Sequence, residues 1–255
     1  MADIRLEKNG EIAELILNRP DKKNALNRAM WDAIPDLVAE AESDKAIRIV
    51  VVHGGDAGAF AAGADISEFG ANGGGAGFRD AVFAAMHALG DCVKPTIAMI
   101  SGPCIGGGCG IALACDFRFA DTTASFGITP AKLGIAYGLY DTKRLVDTVG
   151  ATTAKDILFT GRIFGPGEAK DMGLIDRLAP EDTLRETTWD YAQQICKNSQ
   201  YSVRASKKTI QMILDGATDD TPETTAQFAD AFSGEDFQEG TKAFLEKRKP
   251  NFKFS

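Results

Sequence analysis

The residues best suited to chemistry in this chain are glycines. Two loops, Gly54-Gly55-Asp56-Ala57-Gly58-Ala59-Phe60-Ala61-Ala62-Gly63-Ala64-Asp65-Ile66 and Gly102-Pro103-Cys104-Ile105-Gly106-Gly107-Gly108-Cys109-Gly110, each join a β-prone run to a helical pattern. Glycine allows a substrate to approach the main chain closely, and a helix N-terminus presents unpaired N–H groups. Two such loops meeting at one pocket could form an oxyanion hole, where each backbone donor is worth about 2.7–4 kcal/mol to a developing negative charge. By themselves the same glycines also describe tight turns.

Other chemistries are excluded or disfavoured by residue type and spacing. A dinucleotide fingerprint requires G-x-G-x-x-G/A; from Gly106 the chain reads Gly-Gly-Gly-Cys-Gly-Ile, so Ile111 fails the last position. No G-x-x-x-x-G-K-[ST] occurs. His53 and His87 are the two histidines, which excludes an H-E-x-x-H zinc site and argues against a Ser-His-Asp triad. His53 ends a buried strand pattern and His87 lies on an Ala-rich helix, so structural roles fit both. No metal and no separate cofactor is expected.

The elements that must hold these loops read as an α/β core. Ile4 to Leu17 is a hairpin pattern turning at Asn9-Gly10. Asn27 can cap a helix to about Glu42, with Met30, Ile34, Leu37, Val38 and Ala41 on one face; Pro35 predicts a kink or restart. Ile47 to Val52 and Thr96 to Ile100 are β-prone runs of the kind buried on both faces. Strand, loop and helix alternate to about residue 180. Ala71 to Gly77 reads as a surface loop, and with the helix Phe78 to Leu89 it should shape the acyl pocket. From Glu181 the pattern is helical only, near 181–198, 201–215, 221–233 and 236–248.

Bulk properties bound the partners. With 255 residues, 44% hydrophobic and 25% charged, the chain fits a folded soluble protein of one large domain or a core with an appendage. No apolar run approaches the roughly 18 residues of a membrane span, and Met1-Ala2-Asp3-Ile4-Arg5 begins no secretory segment, so a cytoplasmic location is expected. Cys92, Cys104, Cys109, Cys115 and Cys196 are odd in number and irregularly spaced, as expected of reduced, buried thiols. A net charge of −8 speaks against a nucleic-acid partner.

Motifs in order along the chain carry a family resemblance. Asn18-Arg19-Pro20 with Asn24-Ala25-Leu26, Phe60 to Ile66, Lys94 to Gly102 with Gly106-Gly107-Gly108, Cys115-Asp116 with Ala124-Ser125-Phe126-Gly127, and Phe244 to Phe252 together resemble the crotonase (enoyl-CoA hydratase/isomerase) superfamily. The resemblance implies a spiral of ββα units over residues 1–196 and a helical region, 197–255, that packs subunits into a homotrimer or a dimer of trimers. It implies that the amides of Ala64 and Gly107 form an oxyanion hole for an acyl-CoA thioester. Ala62, Asp65 and Ile66 would line the CoA entrance, and Lys247 would reach CoA from a neighbouring subunit.

The sequence departs from a hydratase at the two glutamates that hold the attacking water. Gly110 and Pro130 stand at those positions, and neither can move a proton. Thr129-Pro130-Ala131-Lys132-Leu133-Gly134-Ile135-Ala136-Tyr137 is similar to the methylmalonyl-CoA decarboxylase branch, which implies substrate contacts at Thr129 and Tyr137; that branch has a histidine where this chain has Ala64. Decarboxylation of a malonyl-class thioester is therefore the leading expectation. Hydration or isomerisation returns if Glu68 or Asp141 faces the acyl pocket, although the leading role for Asp141 is an N-cap or N1 charge. A non-catalytic acyl-CoA-binding homologue is the third expectation.

Overall fold

The computed structural model describes residues 2–68 and 76–253. Strands β1 (Ile4–Asn9) and β2 (Ile12–Leu17) form the expected hairpin, pairing Asn9 with Ile12 across a two-residue turn in which Gly10 takes φ 61°. Helix α1 (Arg28–Ser43) starts where Asn27 accepts a hydrogen bond from the Met30 amide at 2.9 Å, a cap worth about 0.5–2 kcal/mol. The restart that Pro35 could have caused does not occur: α1 continues through it as one helix, with Met30, Trp31, Ile34, Val38 and Ala41 buried.

The chain continues through β3 (Ile49–His53), α2 (Ala76–Gly90), β4 (Thr96–Ile100), β5 (Pro103–Ile105), α3 (Gly107–Ala114), β6 (Phe117–Asp121) and β7 (Ser125–Gly127). It then forms α4 (Pro130–Leu133), α5 (Leu139–Thr160), α6 (Pro166–Asp171), β8 (Arg177–Ala179) and α7 (Leu184–Cys196), followed by α8 (Gln200–Leu214), α9 (Pro222–Ser233) and α10 (Glu235–Leu245). Strand β3 begins and ends slightly later than its β-branched run, so His53 is its last residue. The Ala71–Gly77 loop lies outside the described residues up to Gly75; Ala76 and Gly77 already belong to α2.

Six strands form one sheet in the order β1-β2-β3-β4-β6-β8, antiparallel only between β1 and β2. Both faces are covered, and the period-2 alternation of a strand sorts the side chains. Val50 and Val52 face the larger core with α1 and α2, while Ile49 and Val51 pack with Leu184, Ala192 and Cys196 of α7. This explains why these strands read as uninterrupted apolar runs.

A spiral arises because each turn leaves the large sheet, adds a short extended segment to a second layer, and returns through a helix. The second layer pairs β5 with β7 and is widened by single bridges: Leu26 with Ala64, Ala61 with Cys104, and Phe126 with Phe164. It is this layer that draws both glycine loops together. The later helices are tied back by Arg48, whose guanidinium donates to Cys196 O at 2.6 Å and Phe252 O at 2.8 Å, and by Lys207, which donates to Asp116 at 2.7 Å. Phe228, Phe232, Phe237, Phe244 and Leu245 of α9 and α10 remain exposed on the single chain. Among the described residues no helix is long and apolar enough to cross a membrane.

Candidate functional site

The first loop is fixed from both sides. Leu26 N–H donates to Gly63 O at 2.8 Å and Asp65 N–H donates to Leu26 O at 2.9 Å. In a parallel ladder this pattern turns the N–H and C=O of the residue between, Ala64, away from Leu26. On the other side, Ala61 N–H donates to Pro103 O and Ile105 N–H to Ala61 O, both at 2.9 Å, which stitches the first loop to the second.

The second loop ends in the N-terminus of α3. Gly106 precedes it with φ 52° and ψ −112°, a conformation that favours glycine, and its N–H donates to Gly127 O at 2.8 Å. Gly107 is the first helical residue, so its amide is among those with no intrahelical acceptor. A Cβ built on Gly107 would stand 3.6 Å from the Ala64 nitrogen. Among the described residues neither the Ala64 nor the Gly107 N–H has a backbone acceptor. Two free amides from different loops thus lie side by side at the positive end of a buried helix, an arrangement suited to an anionic oxygen.

Polar atoms without partners surround this point. Trp31, wholly buried on α1, places Cζ2 at 3.0 Å from the Cβ position of Gly107, and its Nε1 has no hydrogen-bond partner. One turn further along α3, the Tyr137 hydroxyl is 3.5 Å from the Cβ position of Gly110 and is also buried and unpartnered. Each orphaned group costs about 1–3 kcal/mol. The Met86 methyl collides with the same Gly110 Cβ position, so a side chain there would displace it. Burial pushes the Tyr137 phenol well above its ordinary range, with the Asp141 carboxylate adding to the effect, so the hydroxyl keeps its proton.

The candidate carboxylates differ sharply. Asp141 neither caps nor opens its helix: it is the third residue of α5, whose N-cap is Gly138. Among the described residues its carboxylate accepts no hydrogen bond, and Oδ2 stands 3.1 Å from the Cβ position of Gly138, next to Tyr137 in the chain. Burial raises its pKa, opposed by Arg144 and His87. Glu68 is committed elsewhere, since its Oε2 accepts the Arg28 amide hydrogen at 2.6 Å at the start of α1. Asp65 accepts hydrogen bonds from the Ser67 hydroxyl and from Arg19, both at 2.6 Å, and these hold its pKa down to about 2.

The other sequence candidates are dispersed. Ala62 donates to Lys23 O at 3.0 Å beside the first loop, and Ile66 is exposed on the short 3-10 turn after it. Thr129 is the N-cap residue of α4 without a side-chain cap bond, and Pro130 is its first residue. Lys247 is exposed beyond α10 with φ 54°. Trp31 and Met86 escaped the sequence reading, because an aromatic or Met at helical spacing is indistinguishable from ordinary core until its neighbours are known. All five cysteines are free and buried, and burial lifts Cys92, Cys115 and Cys196 to about 12, which makes them poor nucleophiles. A cavity of about 1090 Å³ bordered by His87, Arg144, Lys207 and Gln211 stands apart: neither Ala64, Gly107 nor Tyr137 lines it. Among the described residues no cluster of three or more His, Cys, Asp or Glu side chains is placed to hold a metal.

Comparison with known proteins agrees along the full length. A family model described as enoyl-CoA hydratase/isomerase matches residues 7–254. A crotonyl-CoA hydratase of Syntrophomonas wolfei is 36% identical, covering 98% of this chain and 97% of its own. A short-chain-enoyl-CoA hydratase of Clostridium acetobutylicum is likewise 36% identical over 97% and 96%. Among solved structures, an enoyl-CoA hydratase/isomerase family protein from Hyphomonas neptunium superimposes with a TM-score of 0.97 at 47% identity, covering 100% of this chain and 98% of that one.

Proposed function

The chain belongs to the enoyl-CoA hydratase/isomerase family, and on that footing we propose that it binds an acyl-CoA thioester and stabilises its enolate with the amides of Ala64 and Gly107. The observation that carries this reading is the approach of the two loops, with the Gly107 Cβ position 3.6 Å from the Ala64 nitrogen and both N–H groups free. As an enolate forms, charge moves onto the thioester oxygen, and fixed donors that need no reorganisation lower that barrier.

The reaction favoured is addition of water to, or isomerisation of, an enoyl-CoA, with Asp141 as the carboxylate and Tyr137 as a proton donor. The hydratase names of the relatives support it, as does the position of Asp141: half-buried in the first turn of α5, with no hydrogen bond to its carboxylate among the described residues and not used as a cap. Water activated by the Asp141 carboxylate adds to the β-carbon. Asp141 takes the water's proton while the electron pair of the double bond passes to the thioester oxygen; as that pair returns, the α-carbon takes a proton from the Tyr137 phenol, which recovers one from Asp141. General acid–base help of this kind typically contributes about 10²–10⁴-fold.

One observation favours a second reading, decarboxylation of a malonyl-class thioester. Gly110 and Pro130 supply no carboxylate, and Met86 occupies the space in which a side chain at residue 110 would stand. Loss of CO₂ leaves an enolate without any base, and the Tyr137 phenol would protonate it.

Crotonyl-CoA and malonyl-CoA supplied separately decide between them. Loss of the conjugated thioester absorbance at roughly 1–10³ s⁻¹ supports hydration; CO₂ release from malonyl-CoA with crotonyl-CoA untouched supports decarboxylation. If neither reacts and no solvent deuterium enters the α-carbon of butanoyl-CoA, the proposal of catalysis is wrong. The exposed aromatic row on α9 and α10 supports assembly into a homotrimer or a dimer of trimers, with Lys247 reaching a neighbour's CoA. A monomer by light scattering would contradict that.

A further inference from the structure

We propose that Trp31 is a third donor at this site, its indole N–H hydrogen-bonding the acyl oxygen that the Ala64 and Gly107 amides hold; the inference rests on the oxyanion reading above and extends it to a side chain. Three observations support it. The ring edge formed by Cζ2 and Cη2 lies 3.0 and 3.3 Å from the Gly107 Cβ position, and the Ala64 nitrogen lies 3.6 Å from that same position. Nε1 is attached to the ring carbon next to Cζ2, so the donor lies beside the ring edge that faces Gly107. Trp31 is 0% exposed, yet among the described residues its Nε1 finds no acceptor.

A phenylalanine would fill most of this space and bury no polar atom, whereas tryptophan buries a donor that nothing in the unliganded protein satisfies. A ligand can bring the acceptor, and the atom that comes to this place in the proposed chemistry is the thioester oxygen. Because Nε1 is closed to solvent, it meets that oxygen only as the acyl group settles against the Gly107 turn. The contact also accounts for glycine at 107, since any larger residue there would push the indole away.

The two tryptophans, Trp31 and Trp189, give two indole ¹H–¹⁵N signals in the full-length protein, and Trp189→Phe assigns them. Titration with butanoyl-CoA is expected to move the Trp31 signal downfield and leave Trp189 in place, while free CoA, which lacks the thioester carbonyl, moves neither. If the Ala64 and Gly107 amide signals shift and the Trp31 indole does not, the inference about Trp31 is overturned and the oxyanion reading stands. If none of the three shifts under saturating ligand, both fall together. As a second measurement, Trp31→Phe should lower kcat/KM by about tenfold with the affinity for free CoA unchanged; a purely structural role would lower the melting temperature and leave kcat/KM of the folded fraction intact.

Discussion

The Tyr137 hydroxyl sits 3.5 Å from the point at which a Cβ on Gly110 would stand, and the Met86 sulfur lies 3.5 Å from that same point. The absence of a side chain at residue 110 is thus coupled to the presence of two others. Met86 fills the space, and Tyr137 brings the polar atom. Under the proposed function, chemistry that a carboxylate on α3 would perform falls to groups on α5 and the segment before it.

Tyr137→Phe separates activity from stability. Its hydroxyl is buried without a partner, so its removal should raise stability by about 1–3 kcal/mol, seen as a higher melting temperature. The same change should lower kcat by about 10²–10⁴-fold. Unchanged turnover would remove Tyr137 from the mechanism.

Gly110→Glu alone should overpack the site against Met86 and cost about 1–3 kcal/mol, measured by chemical denaturation. Combined with Met86→Ala, the glutamate gains room, and the double variant should recover most of that stability. It should also hydrate crotonyl-CoA faster than either single variant. Strictly additive effects would show that the two positions do not share one space.

Gly107→Ala should reduce kcat by about 10²–10³-fold, because the added methyl meets Trp31 at 3.0 Å and moves an amide donor. Circular dichroism should report an intact fold. Full activity in this variant would place the oxyanion elsewhere.

Asp141 makes activity and stability move oppositely with pH. Burial raises its pKa, so the protonated form is the one the fold favours. The stability this contributes is fully present below the ordinary carboxylate pKa and is lost as pH rises through the raised value. Asp141→Asn should therefore be more stable than the wild type at neutral pH. If Asp141 is the base, activity rises over the same window, and the acid limb of the kcat profile should vanish in Asp141→Asn. An identical pH profile in the variant would exclude that role.

His53 gives the opposite sign. Its Nδ1 accepts the Gly55 amide hydrogen at 3.1 Å, and Nε2 faces Glu14 at 3.1 Å, so the ring is neutral with its proton on Nε2. Burial lowers its pKa against the pull of Glu14. The stability it contributes is present above pH 6.5, its ordinary value, and is lost as pH falls through the depressed one. His53→Gln should flatten that part of the stability curve.

Much of the scaffold was legible in the chain because burial on both faces writes itself as β-branched runs: the hairpin at Asn9-Gly10 and the strand Thr96–Ile100 lie where periodicity put them. The second layer was not legible, because it is built from strands of three residues and single bridges such as Leu26 with Ala64, too short to carry a period. Asp141 was misplaced in its helix because the true N-cap, Gly138, offers no side-chain signal. Pro35 suggested a kink or a restart, and α1 runs through it without restarting, held by the buried face that includes Trp31 and Ile34. The meeting of Trp31 with Gly107, and of Met86 with Gly110, joins residues more than twenty positions apart and had no local signature.

The most direct measurement is a crystal structure with butanoyl-CoA bound. The thioester oxygen is expected at about 2.7–3.1 Å from both the Ala64 and Gly107 nitrogens. A thioester oxygen held by other groups, with those two amides facing away from it, would contradict the account.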